Sequence, residues 1–367
     1  MNKAVLILAN GRVFEGESIG AVGTTVGEVV FNTGMAGYEE TLTDPSYYGQ
    51  IITQTYPLVG NYGILGEDAE SRKIWAFGYI VREACDAPSN FRLQKTLHTY
   101  LQEQNIIGIK GLDTRALTRL IREAGVLNGA ITTEYESAEA ALQDADLMHK
   151  IRSYTVHDAV KSVSTDSIET FNDNGKYHVV LFDYGYKSNI LRNLIKRDCR
   201  VTLVPGHTAP AAVKALSPDG IMLSNGPGDP AENVEIIEGL KTLIQMDIPI
   251  FGICLGHQLM ALATGAKTAK LKYGHRGVNQ PVTDFAKNRT FITSQNHGYA
   301  VLADTIDPAV ATVSHVNAND KTVEGLSYKT IPCFTVQFHP EACGGPKDTE
   351  YLFDELIAMM NRKKGGC

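Results

Sequence analysis

The chain has 367 residues, of which 43% are hydrophobic and 20% are charged, and its formal net charge is −7. These values are typical of a soluble globular protein with two domains of ordinary size. The acidic balance, with Arg and Lys scattered along the chain, argues against a nucleic-acid binder held by phosphate contacts and against a membrane-surface protein.

The spacing of the cysteines and the length of the apolar runs indicate the cellular compartment in which the protein is expected. None of the six cysteines forms a CxxC pair, which excludes the usual spacing of a zinc site or a small disulfide scaffold; they are Cys85, Cys199, Cys254, Cys333, Cys343 and Cys367. The N-terminus does not resemble a signal peptide, and no run reaches the ~18 apolar residues of a membrane span. We therefore expect a reduced, cytoplasmic protein.

The first part of the chain mixes strand and helix patterns. "KAVLILANGRVFEG" predicts a hairpin around Asn10-Gly11, with positive φ at both turn residues. "GEVVFNTG" and "GQIITQTYPL" predict further strands, and "NFRLQKTLHTYLQEQN" predicts a helix. "DTRALTRLIREAG" predicts a helix capped by Asp113 and ended by Gly125, and "SAEAALQDADLMHKI" predicts one capped by Ser137. This pattern favours an α+β domain over residues 1–152.

Residues 153–176 are predicted to connect this domain to a second one, because apolar periodicity is lost and Ser, Thr, Asp and Asn dominate the latter part. Residues 177–367 then alternate strand and helix: "YHVVLFDYG", "KSNILRNLIKRDC", "RVTLVPG", "APAAVKALSP", "GIMLSNGPGDP", "NVEIIEGLKTLIQMD" and "IPIFGICLG". Such alternation predicts an α/β domain with a mostly parallel sheet, flavodoxin-like layering and a site at the carboxyl ends of the strands.

The segment "PIFGICLGHQ" places a thiol, Cys254, between Gly252 and Gly256 where a strand gives way to a helix. This arrangement is typical of a nucleophile elbow, here with sulfur in place of oxygen. The start of a helix also favours an anion nearby and so raises the thiolate fraction. The alternative is a buried core cysteine, which is our interpretation of Cys333 within the apolar strand "IPCFTVQF". The two glycines favour the nucleophile for Cys254.

A thiol nucleophile needs a base and a group that orients the base. His339 in "VQFHPEA" follows a strand and should lie at the same edge of the sheet as Cys254. Glu341 lies two residues further on, so an extended chain would put both side chains on one side. The alternative for an isolated His and Glu is a solvated strand end, and the elbow favours the catalytic interpretation.

Acyl chemistry also needs N–H donors for an oxyanion. Leu255 at the head of the helix is one candidate, and the "SNGPGDP" loop, with Gly226 and Gly228, offers others, although that loop is also explained as a tight turn after a strand. Gln258 lies one turn after Cys254, and we expect its side chain to lean back toward the sulfur. A Cys254–His257 metal pair is disfavoured because two ligands are too few.

Together, "GICLGHQ", "SNGPGDP" and "FHPE" resemble the class I, triad-type glutamine amidotransferase domain. "GEVVFNTGMAGYEETLTDPSYYGQIITQTYPLVGNYG" and "LDTRALTRLIREAGVLNGAI" resemble the small, glutamine-hydrolysing subunit of carbamoyl phosphate synthetases. The resemblance covers almost the entire chain, and the motifs are highly specific in combination.

The resemblance implies roles for particular positions. Cys254 would attack the side-chain amide of glutamine, His339 would transfer protons, Glu341 would orient His339, and the N–H groups of Gly226 and Leu255 would bind the oxyanion. The positions that match glutamine-holding residues of the family are Ser46, Gly228, Gln258, Asn296, Gly298 and Tyr299. For Ser46, Asn296, Gly298 and Tyr299 this assignment depends on the resemblance alone.

The resemblance also implies a partner. Ammonia would pass to a large subunit that makes carbamoyl phosphate from bicarbonate, for arginine or pyrimidine synthesis or for both. The chain has no GxxxxGK[ST] loop, so ATP and magnesium are expected only on that subunit, and no cofactor is expected here. The competing hypotheses are an independent thiol hydrolase, a binding module that has lost activity, and a component of another amidotransferase. The resemblance of the N-terminal half disfavours the first and, most clearly, the third; the intact set of Cys254, His339 and Glu341 disfavours the second.

Overall fold

The computed structural model describes residues 3–135, 137–342 and 344–365. The chain divides into two compact units, residues 1–156 and 157–367. No helix among the described residues is long and apolar enough to cross a membrane. Cys85, Cys199, Cys254 and Cys333 are free thiols, and Cys343 and Cys367 lie outside the described residues.

The first unit contains nine strands, five α-helices and one short 3-10 helix within its described residues. In chain order these are β1 (Lys3–Leu8), β2 (Val13–Gly20), β3 (Thr24–Asn32), α1 (Tyr38–Thr43), the 3-10 helix Pro45–Tyr47, β4 (Gln50–Gln54), β5 (Leu58–Val59), β6 (Gly78–Ile80), β7 (Glu83–Ala84), α2 (Leu97–Glu103), β8 (Ile107–Lys110), α3 (Thr114–Ala124), β9 (Leu127–Thr132), α4 (Ala138–Gln143) and α5 (Ala145–Ser153).

Seven of these strands close into a barrel in the order β1-β2-β8-β6-β4-β3-β9. Closure removes the unpaired edges that an open sheet would expose. Leu6, Val29, Ile51 and Ile131 from different strands are fully buried together. The unit is therefore α+β, as the sequence predicts.

The hairpin of β1 and β2 is confirmed, with Ile7 opposite Val13. Its turn differs from the prediction, because Gly11 has φ 82° but Asn10 is not among the residues with positive φ. The Asn10 side chain instead accepts a hydrogen bond from the Arg12 N–H at 3.1 Å. The longer loop thus needs only one left-handed residue, and glycine supplies it.

The helix caps at Asp113 and Ser137 are confirmed, since they accept hydrogen bonds from the N–H groups of Ala116 and Ala140. The helix predicted after Ser137 is divided at Asp144, which caps a second helix through the Leu147 N–H at 2.9 Å. A local side-chain acceptor here replaces the continuing helical bonds.

The second unit contains ten strands, six α-helices and two short 3-10 helices within its described residues. They are α6 (Ala159–Val163), β10 (Glu169–Phe171), β11 (Tyr177–Asp183), α7 (Ser188–Lys196), β12 (Cys199–Pro205), α8 (Pro210–Ala215), β13 (Gly220–Leu223), the 3-10 helix Pro230–Glu232, α9 (Val234–Ile244), β14 (Ile250–Ile253), α10 (Leu255–Ala263), β15 (Thr268–Asp284), β16 (Arg289–Val301), the 3-10 helix Ala303–Thr305, β17 (Ala311–Asn317), β18 (Val323–Tyr328), β19 (Cys333–Val336) and α11 (Tyr351–Gly365).

All ten strands form one sheet in the order β10-β12-β11-β13-β14-β19-β18-β17-β15-β16. Its centre, from β12 to β19, is parallel, as the alternation of strands and helices predicts. Apolar side chains of α9 and α10 cover one face, and those of α7 and α11 cover the other. This is the layered α/β arrangement expected from the sequence.

Two features of the sheet lie outside the predicted alternation. Strands β15 to β18 extend it as an antiparallel arm, joined to the parallel part through β18 and β19. Within the predicted connecting segment, residues 159–163 form α6, and β10 pairs with β12. The polar composition of that segment fits an edge strand, because an edge has one partner and one solvent side.

Candidate active site

Cys254 occupies the turn between β14 and α10. Its backbone has φ 51° and ψ −100°, a conformation that is strained for a residue with a side chain. The turn is held because the Cys254 N–H donates to the Val336 carbonyl at 2.8 Å. The structure therefore has the elbow that the sequence predicts, with the thiol at the carboxyl ends of the parallel strands.

The glycines on either side of Cys254 allow the backbone to pack closely against neighbouring strands. A Cβ atom at Gly252 would lie 2.9 Å from the Thr335 side chain, and one at Gly256 would lie 2.5 Å from the Leu223 carbonyl oxygen. Real Cβ atoms do not approach backbone oxygens so closely, so α10 can start against β13 only with glycine there. The GxCxG pattern thus positions the thiol by allowing the helix to begin this close to the sheet.

His339, Glu341 and Lys187 form a buried chain of polar groups. Nδ1 of His339 lies 2.7 Å from Oε1 of Glu341, and Nζ of Lys187 lies 2.7 Å from the same oxygen. His339 is 1% exposed and Glu341 is not exposed. The predicted pairing of His339 with Glu341 is present, and the Glu341 carboxylate fixes the Nδ1 side of the ring.

The pKa of Glu341 reflects these partners. Burial raises it, but the Lys187 ammonium and His339 outweigh burial and lower the pKa to about 2. The carboxylate is therefore charged at neutral pH although solvent does not reach it. Lys187, which sequence reasoning missed, supplies the main compensating charge.

Strand β16 connects the histidine to the thiol. The His339 N–H donates to the Ser294 carbonyl at 2.9 Å, and the Cys254 sulfur lies 3.7 Å from the carbonyl oxygen of Asn296, two residues further along β16. Nε2 of His339 is buried and makes no hydrogen bond to any other described residue. One ring nitrogen is thus oriented by Glu341 while the other remains available at the edge of the sheet that carries the thiol.

Gly226 and Leu255 lie side by side next to Cys254. A Cβ at Gly226 would lie 2.2 Å from the Tyr184 carbonyl oxygen and 2.7 Å from Cδ2 of Leu255. The N–H of Leu255 belongs to the first turn of α10, where helix geometry provides no carbonyl partner within the helix. This arrangement is suited to two N–H groups that bind an oxyanion.

Gln258 reaches the sulfur through a second glutamine. Its Nε2 donates to the Gln337 Oε1 at 2.9 Å and to the Tyr299 carbonyl at 2.8 Å, and Nε2 of Gln337 lies 3.6 Å from the Cys254 sulfur. Gln258 therefore contacts Gln337, and Gln337 contacts the thiol, so the predicted approach of Gln258 to the sulfur is indirect. Gln337 was not identified from the sequence. Gln337 directly follows β19, and a polar residue in that position was an available signal. Lys187 lies four residues after β11, at the N-cap of α7, and had no such signal.

The remaining predicted site residues lie on the glycine loop, on β16 and in the first unit. Gly228 has φ 88°, which suits glycine. Asn296, Gly298 and Tyr299 are consecutive or nearly so on β16. Ser46 belongs to the first unit, in the short helix Pro45–Tyr47, where its N–H donates to Asp44. Its role at a glutamine site remains a prediction.

Buried histidines at two places in the second unit have nitrogen atoms of the kind that bind metals. Nδ1 of His257 lies 2.8 Å from the Thr335 hydroxyl, and burial lowers the pKa of this histidine to about 3; its bond to Thr335 ties the ring to β19. Separately, His275, His297 and Glu324 place ligand-type atoms within 4.8 Å of one another. Both ring nitrogens of His297 already face other groups, Nδ1 the Tyr299 carbonyl and Nε2 the Gln295 Oε1.

The sequence matches two family models. Residues 6–131 match the "carbamoyl-phosphate synthase small chain, CPSase domain", and residues 180–359 match "glutamine amidotransferase class-I". A crystal structure of a putative GMP synthase subunit from Thermoplasma acidophilum aligns with a TM-score of 0.46 at 22% identity, covering 52% of this chain and 96% of that one.

Curated relatives match along the whole chain. The carbamoyl phosphate synthase small chain of Listeria monocytogenes serotype 4b is 52% identical over 367 residues, which is 100% of this chain and 99% of the relative. That of Clostridium perfringens is 50% identical over 97% of this chain and 99% of the relative. With this identity over both units, the chain belongs to the family of carbamoyl phosphate synthase small chains.

Proposed function

We propose that this chain is the glutamine-hydrolysing subunit of a carbamoyl phosphate synthetase and that Cys254 is its nucleophile. The observation that carries the proposal is the strained Cys254 turn at the same sheet edge as a histidine held by a buried carboxylate. Membership of the family supplies the reaction class, and the geometry supports an assignment of each step to a residue.

In the first half-reaction, His339 takes the proton of the Cys254 thiol, and the sulfur bonds to the amide carbon of glutamine. The carbonyl oxygen becomes an oxyanion, which the N–H groups of Gly226 and Leu255 stabilise. As the tetrahedral intermediate collapses, the carbon–nitrogen bond breaks, and His339 returns its proton to the leaving nitrogen. Ammonia departs, and a γ-glutamyl thioester remains.

In the second half-reaction, Nε2 of His339 removes a proton from water, and the resulting hydroxide attacks the thioester carbon. The same N–H groups stabilise the second oxyanion. The carbon–sulfur bond then breaks, the thiolate regains its proton and glutamate is released. Glu341, kept charged by Lys187, holds the ring through both halves and stabilises the imidazolium that forms in each.

We assign the holding of glutamine to six further residues: Ser46, Gly228, Gln258, Asn296, Gly298 and Tyr299. The proximity of Gln258, Tyr299 and Asn296 to Cys254 supports this for the second unit. The assignment of Ser46 rests on the sequence resemblance.

We further propose that the ammonia is used by a large subunit, which binds ATP and magnesium and makes carbamoyl phosphate from bicarbonate. The name "small chain" of the relatives supports such a partner. The heterodimer, the cytoplasmic location and the supply of arginine or pyrimidine synthesis remain predictions from the sequence.

The test is a Cys254→Ser variant assembled with the large subunit from the same cells. Glutamine-dependent carbamoyl phosphate synthesis should fall by roughly 10³-fold or more, because the nucleophile is lost. Synthesis from added ammonia should stay within about twofold, because later steps do not use the thiol. Substantial glutamine-dependent activity in this variant would refute the mechanism, and a chain that hydrolyses glutamine fully without binding a large subunit would favour an independent hydrolase.

A further inference from the structure

A second set of buried polar groups lies in the antiparallel arm, next to the stretch of β16 that approaches Cys254. His275 on β15 is 8% exposed, and Glu324 on β18 is not exposed. Nε2 of His275 lies 2.8 Å from the Asp320 carboxylate, and Nδ1 lies 3.5 Å from Oε1 of Glu324. One imidazole therefore lies between two carboxylates, one at the surface and one inside.

The Glu324 carboxylate needs a positive charge nearby, because burial of an uncompensated charge is costly. The amide of Asn317, whose Nδ2 lies 3.2 Å from the carboxylate, carries no charge. Burial lowers the pKa of His275, but Glu324 and Asp320 outweigh burial and raise it. Burial also raises the pKa of Glu324, and His275 opposes that rise. His275 and Glu324 thus form a buried histidine–carboxylate pair that is anchored at the surface by Asp320.

From His275 the contacts continue to β16, where His275 lies opposite His297. Nε2 of His297 lies 3.0 Å from Oε1 of Gln295, whose Nε2 donates to the Thr293 hydroxyl at 3.2 Å. Nδ1 of His297 lies 2.7 Å from the Tyr299 carbonyl oxygen. The rings of His275 and His297 meet edge to face, with their centroids 5.0 Å apart.

These contacts end on backbone that also belongs to the candidate active site. The Tyr299 carbonyl that accepts from His297 also accepts from Gln258, and the carbonyl of Asn296 faces the Cys254 sulfur. Residues 297–299 are therefore held from the side of the sheet arm by His297, whose ring packs against the ring of His275.

From this arrangement we propose that His275 and Glu324 are positioning residues for glutamine: Glu324 fixes the ring of His275, that ring fixes His297, and His297 sets the backbone of residues 297–299 that receives the substrate. The inference rests on the proposed function. It assigns roles to two residues, His275 and Glu324, that touch neither the thiol nor its base, and whose positions in "YGHRG" and "TVEGL" do not suggest any role.

The test is Glu324→Gln in the complex with the large subunit. The amide has nearly the shape of the carboxylate but lacks its charge. We expect the KM for glutamine to rise about 10-fold, the effect of one charge-assisted contact, with the kcat of hydrolysis within about threefold. Synthesis from ammonia should not change. If Glu324→Gln does not fold, His275→Gln removes the same histidine–carboxylate pair. It is expected to give the same rise in the KM for glutamine with little change in kcat.

The matched control is Asp284→Asn. Asp284 lies 3.5 Å from His315 in another buried histidine–carboxylate pair, and it is at the end of β15. Asp284→Asn should lower the melting temperature, as we also expect for Glu324→Gln. It should leave the KM for glutamine within about twofold, because Asp284 accepts a hydrogen bond from Tyr351 and the loss of a contact mainly affects the residues that make it.

Three results would overturn the inference. The first is an unchanged KM in folded Glu324→Gln, and the second is an equal rise in KM in Glu324→Gln and Asp284→Asn. The third is a wild-type KM that rises on removal of divalent ions and recovers with zinc, which would make His275, His297 and Glu324 a metal site. A wild-type complex that does not hydrolyse glutamine would instead refute the proposed function.

Discussion

Two thiols in the second unit are equally hidden from solvent but lie in different surroundings. Cys254 is 2% exposed and directly follows β14, whereas Cys333 is 4% exposed and begins the neighbouring parallel strand β19. Cys333 starts its strand at the amino edge of the sheet, opposite Ile250, and burial raises the pKa of its thiol well above the usual range. Cys254 lies at the carboxyl edge, in a strained turn before a helix.

The comparison shows that exposure alone does not distinguish a nucleophile from a core cysteine. Backbone geometry and neighbours do. The carboxyl edge collects the helix start, the glycine loop and the His339–Glu341–Lys187 chain, whereas the environment of Cys333 is dominated by apolar side chains. The prediction that Cys333 is a core residue is confirmed.

The largest effect is expected from His339→Asn, which removes the proposed base at the carboxyl edge. Glutamine hydrolysis should fall by roughly 10³-fold or more, because the thiol loses its proton acceptor and the leaving nitrogen its donor. The matched variant is His178→Asn at the amino end of β11, where the ring contacts Thr202. It should retain activity within about twofold, and an equal loss in both would show that the edges do not differ.

The next effect concerns the glycine loop. Gly226→Ala would push a Cβ against the Tyr184 carbonyl and displace a proposed oxyanion donor, so kcat should fall about 10²-fold. Gly239→Ala is the control, because a Cβ in α9 would meet only Pro210 at 3.9 Å. It should retain kcat and stabilise the protein by roughly 0.5 kcal/mol. Unchanged kcat in Gly226→Ala would exclude this loop from oxyanion binding.

A smaller effect on activity, but a measurable one on stability, is expected from Lys187→Met. It leaves the Glu341 carboxylate buried without its cation, which should cost about 3 kcal/mol in the free energy of unfolding. Lys196→Met breaks the exposed pair with Glu350 and should cost less than about 1 kcal/mol. The free energies of unfolding can be measured by urea denaturation. Equal losses of stability in Lys187→Met and Lys196→Met would show that burial does not strengthen the Lys187–Glu341 pair.

The same ion pair predicts a pH dependence. The pKa of Glu341 is lowered to about 2 in the folded protein, below its unfolded value near ~4.3. The stabilisation is therefore complete above that unfolded value and is lost as the pH falls toward 2. The stability difference between the wild type and Glu341→Gln should be constant from pH 7 to about pH 5 and narrow below about pH 4.5. A difference that narrows near neutral pH would show that Glu341 is not held charged.

Much of the fold could be predicted because local patterns determine it. Alternating apolar strands and amphipathic helices predict the parallel sheet, and a polar residue after a strand must lie at its carboxyl edge, as His339 does. Asp113 and Gly125 bound α3 because caps depend on neighbouring backbone groups. The GxCxG pattern predicts the elbow through the need for close packing.

The rest depends on contacts between distant parts of the chain. Lys187 and Glu341 are 154 positions apart, and no periodicity joins them. The antiparallel arm pairs β15 with β16 and β17 with β18 across irregular registers, so its strands lack the simple alternation that identifies strands in a sequence. The position of Gln337 beside Cys254 follows from the parallel pairing of β14 with β19, and that of His275 beside Glu324 follows from the antiparallel arm.

The most direct test of the account is to label the native complex with an electrophilic analogue of glutamine and to locate the modified thiol by peptide mass spectrometry. We expect stoichiometric modification of Cys254, protection by glutamine, and unmodified Cys199 and Cys333, since burial raises the pKa of both of the latter thiols. Modification of Cys333 instead, or labelling of Cys254 that glutamine does not prevent, would contradict the assignment of the carboxyl edge as the glutamine site.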